Sequence, residues 1–216
     1  MTTGDGGKVR PIIETVEDLA SGIEALAAAE PVFAEVFAQT GIPPLRRRSD
    51  GFEAVLQAIV GQQVSIASAG AIWGRLEEAG LVRQEAVAAA DEAALRACGL
   101  SRPKVRYALA LAESSIDYKA LRGMPDSDVI RELTQLLGIG QWTAEVYALA
   151  SLGRVDVFPA GDLALQEAAK LAFDLPARPT EKEMAALAQA WSPWRAVAAR
   201  LLWAYYRVAK NREGML

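Results

Sequence analysis

The sequence predicts an all-α protein, and three observations predict it. Helix starts and stops are dense, alanine and leucine are abundant, and no segment alternates β-branched with polar residues as a strand would. Thr15 to Ala29 reads as a first helix, stopped before Pro31, and Val32 to Thr40 as a second, ended by Gly41. Ile42 to Ser49 is a connector. Asp50 and Glu53 have capping-box spacing and open a helix to about Val60. A helix over Gln63 to Ala79 stops at Gly80, and a shorter one covers Gln84 to Ala90. Asp91 caps Glu92 to Cys98, and Ser101 caps a helix to about Ser115, with Pro103 in its tolerant first turn. Asp126 or Ser127 opens a helix to about Leu136, Gly138-Ile139-Gly140 breaks it, and helix resumes over Gln141 to Leu152. Arg154 to Gly161 is extended or looped. Asp162 opens Leu163 to Phe173, Thr180 and Glu183 form a second capping box leading to about Trp191, and Ser192-Pro193 restarts the chain into a last helix to about Ala209. About eleven helices are expected.

With 216 residues, the chain suffices for one large domain or two small lobes. No apolar run is long enough for a membrane span, so no membrane partner is expected. Residues 1–10, Gly-rich and polar at Met1 to Lys8, are expected to be a disordered tail rather than a signal peptide. Cys98 is the only cysteine and histidine is absent, which excludes an internal disulfide, a Cys-ligated iron–sulfur cluster, the usual Cys/His zinc site and any histidine base. Catalysis must therefore use carboxylates, lysine, tyrosine, hydroxyls or the one thiol. The composition fits a reduced, cytoplasmic compartment. The net charge of −4 weighs against nucleic acid, but Arg46-Arg47-Arg48, the Arg102/Lys104/Arg106 group and Arg195, Arg200, Arg207, Lys210 and Arg212 are locally basic.

The most informative segment runs from Leu133 to Asp162. Gly138 and Gly140 bracket Ile139, an apolar residue placed to plug into the core, and glycine there permits positive φ and leaves the backbone open. The amides opening the next helix would then form an anion site suited to a phosphate, one that needs few Lys or Arg. An ordinary helix-to-helix turn would use the same glycines. After this hairpin come Gln141-Trp142-Thr143-Ala144-Glu145 and, one helix later, Val155-Asp-Val-Phe-Pro-Ala-Gly-Asp162.

These residues resemble the helix-hairpin-helix DNA glycosylase superfamily, marked by a hairpin, a Gly/Pro-rich loop and then an aspartate. Gly61-Gln62-Gln63-Val64-Ser65, Leu95 to Tyr107 with Lys104, and Trp191-Ser-Pro-Trp194-Arg195 with Leu201-Leu202-Trp203 are similar to its 3-methyladenine DNA glycosylase II branch. The likeness covers about residues 30 to 210 and implies a compact form, without the N-terminal β domain that some members carry.

The resemblance implies two helical lobes with a cleft between them: residues 11–49 and 141–216 in one, 50–140, ending in the hairpin, in the other. The cleft is expected to hold Asp162, Trp142 and Trp203. Asp162 would stabilise the positive charge that develops on deoxyribose as the N-glycosidic bond breaks. An aspartate after Gly161 is also a helix N-cap, and the two roles are compatible. Lyase members carry a lysine two residues past the second hairpin glycine; here that residue is Trp142, so the resemblance implies a monofunctional enzyme. Trp142, Trp203 and Tyr147 are the implied base pocket, where an indole face attracts a cationic methylated purine. Better-known members have an aromatic residue where this chain has Val146, which bears on substrate range.

The implied DNA contacts are Gly138, Ile139, Gly140, Gln141, Thr143, Gln62, Gln63, Ser65 and Lys104, with Gln63 as the wedge that fills the gap left by a flipped base. No cofactor is expected for catalysis. A structural cation such as Na or K, on the carbonyls of Thr134, Leu136 and Ile139, is implied by family alone. The expected partner is duplex DNA with an alkylated base, bound by a monomer that is nucleoid-associated if the source is bacterial. Other readings are a glycosylase for deaminated or mismatched bases, a non-catalytic DNA-binding module, and a helical scaffold for protein partners.

Overall fold

A computed structural model describes residues 12–213; the expected tail at residues 1–10 lies outside them. All named elements are helical, and one isolated bridge joins Ile12 to Arg154. In chain order the helices are α1 (Val16–Ala29), α2 (Pro31–Thr40), α3 (Phe52–Gly61), α4 (Ile66–Glu78), α5 (Gln84–Ala89), α6 (Glu92–Ala97), α7 (Arg102–Glu113), α8 (Tyr118–Leu121), α9 (Asp126–Thr134), α10 (Gln141–Ala150), α11 (Leu163–Ala172), α12 (Glu181–Leu187), a 3-10 turn at Ala188–Trp191, and α13 (Arg195–Glu213). No helix among the described residues is long and apolar enough to cross a membrane.

The chain divides into two compact units. Unit 1 takes the chain up to Arg47 and again from Ala148 onward; unit 2 is Arg48–Tyr147. The second border falls inside α10 rather than at Gly140, because Leu149 and Ala150, on the last turn of α10, belong to the unit 1 core. In unit 1, α13 packs on α1, α2 and α11. Trp191 lies at the centre, edge-on to Phe33 (5.2 Å, 85°) and Phe158 (5.4 Å, 70°) and stacked on Phe173. Such pairs add to the area they bury. In unit 2, α7 packs on α3, α5 and α6, with Leu56, Ile59, Leu95, Val105 and Leu111 buried.

Local caps follow the sequence where the partner is near in the chain. Thr180 and Glu183 form the expected reciprocal box, with Thr180 N donating to Glu183 Oε2 at 2.8 Å. The box expected at Asp50 does not form. Gly51 is the N-cap of α3, and both oxygens of Asp50 accept from Arg122, at 2.6 and 2.9 Å. A bidentate guanidinium outcompetes an amide for that carboxylate. The helix expected from Gln63 starts three residues later, because Gln63 has φ 55 and Ser65 caps α4. The single turn α8 was not expected; Asp117 caps it through the Ala120 amide.

Candidate active site

Asp162 stands at the exit of a buried connection. Ser151 to Ala160 are all buried, so each polar group in the run needs a protein partner. The carbonyls ending α10 are taken by two guanidiniums. Arg47 Nη1 donates to Ala150 O (3.3 Å) and Ser151 O (2.9 Å), and Arg200 Nη2 donates to Leu149 O (3.0 Å). Arg200 also donates to Ala196 O and Leu45 O and is only 5% exposed. Burial, then the neighbouring Arg47 charge, holds its pKa down at about 10, so it is still a cation at neutral pH. Arg200→Met, which strands these buried carbonyls, is expected to destabilise the protein by about 2–3 kcal/mol; an unchanged thermal midpoint would contradict this.

Further along, Asp156 is fixed by α13. Its carboxylate accepts from Arg195 Nε (2.7 Å) and Nη2 (2.9 Å) and from Ser192 Oγ (2.8 Å). Ala196 N donates to Val155 O at 2.9 Å. Asp156 is thus a buried anchor, its carboxylate taken up by Arg195 and Ser192. The last turn is pinned too. Asp162 N donates to Pro159 O (2.9 Å), and the buried Gln166 amide donates to Ala160 O (2.8 Å).

Asp162 is half-buried and is the N-cap of α11. Its Oδ1 accepts from Ala164 N (2.9 Å) and Leu165 N (3.0 Å), so one oxygen does all this capping. Leu163, next in the chain, is 62% exposed. Asp162 is therefore a carboxylate on a rigid mount beside the surface.

The hairpin between α9 and α10 has two glycines with different reasons. Gly138 has φ 86, and a Cβ there would lie 2.4 Å from the Tyr107 ring, so the fold itself demands glycine. Gly140 has no positive φ and a Cβ there would meet nothing within 4 Å. Nothing among the described residues requires glycine at 140. Ile139 is buried, as expected of a plug, and its amide donates to Leu136 O at 3.1 Å. Ala144 N closes the first turn of α10 onto Gly140 O, so the amides before Ala144 lie in the first turn, which has no intrahelical acceptors. Gln141 and Trp142 are exposed there, Trp142 at 46%, and Gln141 Nε2 donates to Glu145 (2.7 Å). Thr143 is buried. Thr134 turns its hydroxyl back to Ile130 O and Arg131 O within α9.

Several residues assigned to DNA or the base pocket have hydrogen-bond partners within the protein. Lys104 is 8% exposed, and its Nζ donates to Val60 O at 2.8 Å, capping α3; burial pulls its pKa down. Gln62 Nε2 donates to Gly138 O at 2.9 Å. Ser65 Oγ accepts from Ser68 N at 3.1 Å. Tyr147 is buried, and its hydroxyl accepts from Gly51 N at 2.9 Å; burial foremost pushes its pKa up to about 12. Gln63, Val64 and Ser65 are exposed, as is Ile66 at 94%. Trp203 is half-buried against the unit 1 core. Arg47, Gln166, Ser192, Arg195 and Arg200 support the Asp162 connection, although the sequence marked the arginines only as basic clusters. The Trp194-Arg195 motif was the one available signal.

The hairpin lies between α9 and α10, and Asp162 heads the next helix, α11. The model of HhH-GPD superfamily base excision DNA repair proteins matches residues 56–193, and the chain belongs to that superfamily. It is 29% identical to DNA-3-methyladenine glycosylase 1 of Schizosaccharomyces pombe, over 75% of each chain. It is 32% identical to a putative DNA-3-methyladenine glycosylase of Bacillus subtilis, over 56% of this chain and 44% of that one. Among solved structures, a DNA-3-methyladenine glycosidase from Bacillus halodurans superposes with TM-score 0.80 at 31% identity, covering 88% of this chain and 91% of that one. The S. pombe 3-methyladenine DNA glycosylase in complex with abasic DNA superposes with TM-score 0.76 at 27% identity, covering 85% and 95%.

Proposed function

We propose that this chain is a monofunctional DNA glycosylase that hydrolyses the N-glycosidic bond of alkylated purines in duplex DNA, of the 3-methyladenine and 7-methylguanine type. The observation that carries the reading is Asp162: a carboxylate on a buried, pinned connection, with one oxygen engaged by the amides of α11. A fixed negative charge is what the cationic transition state of glycosidic cleavage requires. The relatives named above as 3-methyladenine glycosylases support the substrate class.

Hydrolysis proceeds by departure of the base with the bonding electron pair, which neutralises the positive charge an N-alkylated purine carries. Asp162 stabilises the cationic sugar, and water adds to it, leaving an abasic site. This reading assigns the Trp142 and Trp203 indoles to an electron-poor base, for which stacking is worth roughly 1–3 kcal/mol per base. Gly140 supports phosphate binding: where no packing demands glycine, the missing side chain opens the first-turn amides of α10 to an approaching anion. Gln63, exposed at φ 55, is the wedge that enters the stack as the base leaves.

A structural Na or K ion on the carbonyls of Thr134, Leu136 and Ile139 belongs to this reading. The Ile139 amide already engages Leu136 O, so that oxygen would use its second lone pair. The protein acts as a monomer and, in a bacterial source, on the nucleoid in the cytoplasm.

The test is product analysis on methylated duplex DNA. We expect free methylated purine, strands that break only after alkali, and no borohydride-trapped complex, because Trp142 offers no amine. Strand cleavage without alkali, or a trapped complex, would contradict the monofunctional reading.

A further inference from the structure

We propose that Gln62 is a positioning residue that couples the Gln63 loop to the hairpin, so that seating the hairpin on a phosphate and driving Gln63 into the stack become one event. The inference rests on the reading of Gln63 and the hairpin given above. Gln62 is half-buried, and its Nε2 donates to Gly138 O at 2.9 Å across 76 residues of chain. That carbonyl belongs to Gly138, a glycine at φ 86 packed against the Tyr107 ring. Just before Gln62, Lys104 Nζ holds Val60 O at 2.8 Å. Just after Gln63, Ser65 caps α4 through the Ser68 amide. Gln63 is thus held from both sides at φ 55, a conformation rare for a residue with a side chain and kept only where the surroundings impose it.

The surface chemistry agrees with a shared face. The exposed large hydrophobics of unit 2 are Val64, Ile66, Leu137 and Trp142, and all four flank the two segments that Gln62 joins. The polar link is turned inward while the apolar side chains beside it are turned out. Losing the Nε2 donor would free the loop from the hairpin while leaving the α10 amides in place. Duplex binding would persist, and extrusion of the base would suffer.

The experiment is a double-mutant cycle on single-turnover release of 7-methylguanine from methylated duplex, with Gln62→Met, Gln63→Ala and the double variant. Gln62→Met is expected to slow release about tenfold, the upper range for loss of one hydrogen bond. Its affinity for undamaged duplex should stay within about twofold of wild type. Because Gln62 acts through Gln63, the double variant should be no slower than Gln63→Ala. Gln62→Glu, which keeps the shape and loses the donor, should behave like Gln62→Met. Release at the wild-type rate by both Gln62 variants, or a double variant slowed by the product of the two single effects, would overturn the proposal. A wild type that releases no alkylated base would instead overturn the proposed activity, and Gln63→Ala at the wild-type rate would overturn the wedge; either takes the inference with it.

Discussion

Asp162→Asn is expected to lower base release about a thousandfold, the scale of removing one preorganised electrostatic contact from a transition state, while leaving the protein folded. The separation is possible because the proposed catalytic role needs the charge of Asp162, whereas the capping role needs only an acceptor oxygen. As N-cap of α11 it gives Oδ1 to the amides of Ala164 and Leu165. Asparagine is as good an N-cap as aspartate, so its carbonyl oxygen keeps those bonds, and only the charge at the helix start is lost, about 0.3–1 kcal/mol. Asp162→Ala removes the cap as well and should cost about 1 kcal/mol of stability. A thermal scan beside the activity assay reads both effects. An asparagine variant as active as wild type would remove the carboxylate from the chemistry.

The second large effect is a contrast within the hairpin. Gly138→Ala forces a side chain into φ 86 and a methyl to 2.4 Å from the Tyr107 ring. The left-handed backbone and the overpacking together should cost about 2–4 kcal/mol. Gly140→Ala meets nothing within 4 Å and has no positive φ, so its effect on stability should stay within about 0.5 kcal/mol. If the open backbone at 140 exists to admit a phosphate, Gly140→Ala should still weaken duplex binding, by about tenfold, or 1.4 kcal/mol. Denaturant unfolding and a binding titration at fixed salt test the pair. Equal effects of the two substitutions on stability would show that the glycines share one role.

What the sequence made legible was local. The capping box at Thr180 and Glu183, the Asp91 and Asp162 caps, the buried Ile139 and the break at Gly138 all depend on residues within a few positions of one another. The errors arose where a distant residue competes. Asp50 should have capped α3, but Arg122 takes its carboxylate from 72 positions away. The sequence likewise gives no sign that Lys104 and Gln62, read as DNA contacts, hold carbonyls 44 and 76 positions off. Asp156 and Asp162 could be ranked only by family likeness until Arg195, 39 positions on, showed Asp156 to be an anchor. The left-handed Gln63 had no signature, since glutamine is not a residue that favours that region.

The most direct measurement is release of free 3-methyladenine and 7-methylguanine from methylated duplex by wild type and Asp162→Asn, with affinity for an abasic duplex determined for both. Both proteins are expected to bind the abasic duplex with similar affinity, and only wild type to release methylated purines at an appreciable rate. Equal release by the two proteins, or binding by both with release by neither, would contradict this.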